Sequence, residues 1–194
     1  MKTSTPKLFI VLAIVITATV FRLLPHWPNF TPLAAIALLS GAYIRDKKLA
    51  LLVPMLALFV SDLVTIQWLN PEWLSVSEFF TSPGTIFIYA GFFLMTFIGF
   101  GLRKSVKAKN IAGSALACAL IFFLLSNFGG WLINDLPKDM AGLLATYARG
   151  IPFFGYDLAG NLFYSFVSFA LVSYLVKTWP QLAVQPLGRT SGRG

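Results

Sequence analysis

Apolar stretches of about twenty residues recur along this chain, and they constrain it more than any other feature. A helix needs about that length to cross a hydrocarbon core of about 30 Å. In lipid each backbone N–H and C=O must find its partner inside the spanning structure, which leaves helices or a closed barrel. The stretches are continuously apolar, so helices are expected. Composition agrees. Charged residues make up 11% of the chain and hydrophobic residues 57%, against about 25% charged in soluble domains. The mean hydropathy is +0.77.

The expected fold is therefore an all-α membrane protein, a bundle of six transmembrane helices. The predicted spans are Lys7–Leu24, Thr31–Ile44, Leu49–Leu69, Gly84–Leu102, Ile111–Ile133 and Asp157–Val176. Lys7–Leu24 reads as a retained helix, not a signal peptide, because its apolar part is long and no small-residue cleavage motif follows. Thr31 and Pro32 read as N-cap and first helical residue of a span that is short. Asn70–Pro83 reads as a loop. Between the fifth and sixth spans a short amphipathic outer segment is expected, Met140–Ala148, with Leu143, Leu144 and Tyr147 as its apolar set. Residues 1–176 form a single helical domain in this reading, and 177–194 a polar cytoplasmic tail without fixed structure.

Charge sets the orientation. The net charge is +8, which on its own could suggest nucleic acid. Its distribution argues instead for topology. With the N-terminus in the cytoplasm, Lys2, Lys7, Arg45, Lys47, Lys48, Arg103, Lys104, Lys107, Lys109, Lys177, Arg189 and Arg193 all fall inside. Only Arg22, Lys138 and Arg149 fall outside. That bias is the positive-inside pattern. It predicts a bacterial inner-membrane protein with both termini cytoplasmic, lipid as its surroundings and no nucleic-acid partner. Trp27, Trp68, Trp73 and Trp131 fall near the outer interface, where amphipathic rings settle.

The chain is organised around Ser126–Phe154, where polar, aromatic and charged side chains gather beside an otherwise oily sequence. Ionisable groups inside a bilayer are expensive and normally face a bundle interior or a cavity. Asp62 lies about thirteen residues into its span and Arg22 about fifteen into its own. At about 1.5 Å per residue they reach a similar depth, so they can pair. Such a pair is either structural or part of a ligand site. Asn127, Trp131 and Asp135 recur every four residues and share a helix face. Asp157, Asn161, Tyr164, Ser165 and Ser168 make a second stripe. Either these stripes hydrogen-bond helix to helix, or they outline an outward-facing polar pocket.

The candidate substrate-binding residues are Arg22, His26, Asn29, Asp62, Asn127, Trp131, Asp135, Arg149, Asp157 and Asn161. Arg22 and Arg149 would hold anionic groups, Asn127 and Asn161 would orient a ligand by hydrogen bonds, and Trp131 would stack. Ala37 and Gly41, four residues apart, permit close helix approach. That face serves internal packing or the docking of an energising or assembly partner. No cofactor, metal site or catalytic residue is expected. His26 is the only histidine and Cys118 the only cysteine. No phosphate-binding glycine loop, HExxH, CxxC or GxSxG is present.

Four passages, RLLPHWPNFTPLAAIALLSGAYI, SDL at Ser61–Leu63, SNFGGWL and MAGLLATYARGIPFFGYDLAGNLFYS, resemble an uncharacterised six-span bacterial family associated with transport. The resemblance covers roughly 22–169 and brings no substrate. More coarsely the chain is similar to the S components of energy-coupling-factor vitamin transporters, six-helix proteins with small-residue docking faces and an outward site capped by loops. Cobalamin-specific solitary S components ligate cobalt through an outer-loop cysteine. Cys118 lies toward the other side, so that ligand is not implied. The expectation is a component that captures a small polar or amphipathic molecule from the periplasm. The rival is a structural or assembly subunit of a larger membrane complex. An intramembrane enzyme is the weakest reading, since Asp62 and Asp135 form a carboxylate pair only if packing joins them.

Overall fold

The computed structural model describes residues 13, 16, 17, 19–24, 27–69 and 75–179. These fold into helices: α1 (Leu33–Tyr43), α2 (Lys47–Val64), α3 (Val76–Thr81), α4 (Pro83–Leu102), α5 (Ala108–Ile133) and α6 (Met140–Thr178). Residues 19–23 are also helical, and a π-helical turn, Thr65–Leu69, extends α2. Among the described residues, four segments are long and apolar enough to cross a membrane: Lys47–Gln67, Pro83–Leu102, Ala108–Ile133 and Met140–Leu175. Half of the first predicted span lies outside the described residues, as do Glu72, Trp73 and the tail from 180 onward.

The second predicted span is α1, and it is only 11 residues long. At about 1.5 Å per residue that is roughly half a bilayer core. Every residue from Leu33 to Gly41 is buried, as expected of a helix that is apolar all round. α1 packs against α2, α4, α5 and α6, and so stands at the centre of the bundle. Its small residues explain how. A Cβ on Gly41 would lie 2.4 Å from the Thr96 carbonyl oxygen, and one on Gly99 would lie 2.6 Å from that of Leu38. The two backbones meet where neither carries a side chain. The Ala37/Gly41 face, read as serving either internal packing or the docking of a partner, packs against the chain's own α4, and Ala37 is 0% exposed. At the start of α1 Pro32, not Thr31, is the N-cap, and no side chain caps it.

Arg103, just past α4, ties off the other end of α1. Its Nε donates to the Gly41 carbonyl at 2.7 Å and its Nη2 to that of Ile44 at 2.6 Å. Free carbonyls at a helix C-terminus attract a cation in this way. The contact also brings the basic turn at Arg45–Lys48 beside the basic stretch that begins at Arg103, so both lie at one end of the bundle.

Two elements depart from expectation. α3 lies in the segment read as a loop, started by a capping box. Ser75 Oγ accepts from the Glu78 N–H at 3.2 Å, and Glu78 Oε2 accepts from the Ser75 N–H at 2.9 Å. The short amphipathic segment Met140–Ala148 is not a separate element. It is the first part of α6, a continuous helix of 39 residues that runs through Pro152. Contacts with α5 hold it there: Tyr147 Oη donates to the Leu124 carbonyl at 2.8 Å, and the Phe123 ring packs on both Tyr147 and Phe154. Pro152 removes one N–H, a loss that membrane helices tolerate when neighbours pack around them. At about 1.5 Å per residue α6 measures about 58 Å, well beyond a core of about 30 Å.

Candidate functional site

Two polar clusters lie among the helices. The first joins residues 19–23 to α2 and α4. Arg22 Nη2 lies 2.7 Å from Asp62 Oδ1, and its Nη1 donates to Ser61 Oγ. Tyr89 Oη donates to the second carboxylate oxygen of Asp62 at 2.9 Å. The depth match between Arg22 and Asp62 therefore corresponds to a real pair. Each carboxylate oxygen already has a partner. A buried ion pair needs that completeness, because its desolvation is repaid only when the remaining lone pairs are also satisfied.

The second cluster surrounds a cavity of about 110 Å³ between α5 and α6. α5 supplies Phe122, Phe123, Ser126 and Asn127, and α6 supplies Gly150, Phe153, Phe154 and Asp157. The loop before α1 supplies Asn29. Helical spacing of three and four puts each set on one face. Asn29 has φ of 61°, a left-handed conformation that asparagine tolerates better than most residues. The loop reaches α6 because Gly160 has no side chain: a Cβ there would stand 3.0 Å from Phe30 Cα. Gly150 makes room in the same way, since its Cβ would fall 2.3 Å from Asn127 Oδ1.

The hydrogen bonds around this cavity are one-sided. Asn127 Nδ2 donates to the Phe123 carbonyl at 2.8 Å, and Ser126 Oγ donates to that of Phe122 at 2.6 Å. Asp157 is 7% exposed. Its one hydrogen bond among the described residues comes from Asn161 Nδ2 at 3.3 Å. Among the described residues no lysine or arginine pairs with it. Asn161 is buried one turn further along α6 and does not line the cavity. Another turn on, Ser165 Oγ is buried without a partner among the described residues.

The ten predicted site residues are thus dispersed. Asn29, Asn127 and Asp157 share the cavity, with Asn161 behind them. Arg22 and Asp62 form their own pair and do not line it. Trp131 is used locally: its Nε1 donates to the Pro137 carbonyl at 2.9 Å, and Lys138 Nζ donates to the Trp131 carbonyl at 2.6 Å. Asp135 is exposed beyond the end of α5, so it does not share a helix face with Asn127. Arg149 is exposed and contributes nothing to the cavity. His26 lies outside the described residues. Sequence reasoning missed Tyr89, which needs a third helix at the depth of Asp62, and the four phenylalanines with Ser126 and Gly150. A signal for the latter existed, because a Phe-Phe pair stands close before Asn127 and another close before Asp157.

A model of a family of unknown function, DUF6580, matches residues 2–182. No curated protein and no solved structure matches the chain.

Proposed function

We propose that this chain, which belongs to DUF6580, captures a small polar or amphipathic molecule in the α5–α6 cavity and carries it across a membrane. The observation behind this reading is the cavity itself. Three separate segments bring Asn29, Asn127 and Asp157 to one hollow in a chain that is otherwise apolar. Polar and ionisable side chains within spanning helices normally face a bundle interior or a cavity, where they mark ligand paths. Among the lining residues Asn29 and Phe153 are exposed and Asp157 is buried, which suits a hollow that leads from the surface inward.

In this reading the basic end of the bundle faces the cytoplasm of a bacterial inner membrane, following the charge bias. The molecule enters from the periplasmic side. With no nucleotide motif in the sequence, movement comes from rocking of the bundle or from an energising partner, as in the S components that the sequence resembles. The assembly-subunit reading is weaker here, because the small-residue face that favoured it lies inside the chain.

Sided thiol labelling tests the proposal. Asn127→Cys in a Cys118→Ala background is expected to react with a small membrane-impermeant thiol reagent applied to intact spheroplasts. Adding Gly150→Leu, which fills the space beside residue 127, is expected to block the reaction. Labelling that requires access from the cytoplasmic side contradicts the orientation, and no labelling from either side contradicts the open cavity.

A further inference from the structure

We infer that the cavity takes a small protonated amine, a class that rests on the capture reading above. The argument starts from what the lining can offer a ligand. Among the described residues, Asp157 is the only ionisable side chain lining the cavity. A carboxyl away from water must find a positive charge or take up a proton. Asp62, buried to nearly the same degree, has Arg22 as its counter-charge, whereas among the described residues Asp157 has only the Asn161 amide. The missing positive charge is the position a cationic ligand fills.

The other polar groups point the same way. The Asn127 amide and the Ser126 hydroxyl each donate to a carbonyl of their own helix. The Ser126 hydroxyl donor is spent and the Asn127 amide keeps one N–H, while Asn127 Oδ1 and the Ser126 lone pairs still accept. With the Asp157 carboxyl as the ionisable group among the described lining residues, the site suits an ammonium, which carries only donors, and repels a carboxylate or phosphate. The remaining wall is Phe122, Phe123, Phe153 and Phe154, and aromatic faces attract cations, more strongly where water is excluded. Size limits the choice. A dry cavity of about 150 Å³ holds benzene, so about 110 Å³ holds an amine of a few carbons.

The experiment uses the full chain in detergent and three probes of matched size: propylammonium, 1-propanol and propionate, read by saturation-transfer NMR. Propylammonium is expected to bind at least tenfold more tightly than 1-propanol, and propionate not at all. Asp157→Asn is expected to lose at least tenfold for propylammonium while leaving 1-propanol unchanged. Phe123→Leu, which keeps an apolar wall but removes the ring, is expected to lose severalfold and serves if the first variant does not fold. If 1-propanol or propionate binds as well as propylammonium, the amine class is wrong and the capture reading stands. If none of the three binds, the amine class is overturned. If Asn127→Cys is also unreactive, the capture reading falls with it.

Discussion

Asp62 and Asp157 are buried to nearly the same degree, at 5% and 7% exposed, yet their surroundings differ in kind. Asp62 has Arg22 on one oxygen and Tyr89 on the other, and the guanidinium also donates to Ser61. Among the described residues Asp157 has a single amide at 3.3 Å, and it adjoins a cavity. Burial alone does not tell a structural carboxylate from a functional one. Partner completeness does: the first group is closed on itself and holds three segments together, while the second retains valence for a visitor.

The contrast can be broken at several points. Asp62→Ala leaves Arg22 with its counter-charge removed. Losing one member of a buried pair costs about 3–5 kcal/mol, and with Arg22 21% exposed the lower end is expected as a fall in the thermal unfolding midpoint. Tyr89→Phe removes one hydrogen bond to a charged group and is expected to cost about 1.5–3 kcal/mol in the same assay. Asp157→Asn keeps the shape and removes only an uncompensated charge. It is expected to be neutral, or to stabilise by up to about 1 kcal/mol, while abolishing capture. A loss comparable to that of Asp62→Ala would erase the distinction between the two carboxylates.

A third carboxylate marks the exposed limit. The Ser75 hydroxyl, and secondarily its backbone N–H, hold the Glu78 carboxyl below its usual range. Because the folded value lies below the unfolded one, the contribution of Glu78 is complete above the unfolded value and fades as pH falls through the folded value. The Ser75 amide is therefore expected to lose hydrogen-exchange protection only below about the ordinary glutamate value of 4.5. Glu78→Gln should remove that pH dependence. This is the smallest of the expected effects, and it should leave both buried clusters untouched.

Much of this was legible in the sequence where a single helix carries the information. Counting the rise per residue was enough to match Arg22 with Asp62. The spacing of Ala37 and Gly41 announced a close helix crossing, but spacing cannot name the partner, and Gly99 of the same chain fills that role. Spacing alone groups Asp135 with Asn127 and Trp131, although the predicted span itself stops at Ile133. α5 does end at Ile133, and Asn134 turns its side chain to Thr146 at 2.9 Å. Gly150 and Pro152 have low helix propensity, yet Tyr147 and Phe154 pack on α5 and α6 runs unbroken. Tertiary contact overrode local propensity there. The Ser75-x-x-Glu78 pattern was in plain view as a helix start inside a stretch read as loop.

Capture at Asp157 has one decisive experiment: native mass spectrometry of the protein released from its own membranes without added ligand. The wild type and Tyr89→Phe are expected to carry the same small added mass, fragmenting as an amine, and Asp157→Asn is expected to appear bare. A bare wild type, or an identical added mass on Asp157→Asn, would contradict capture at this carboxylate.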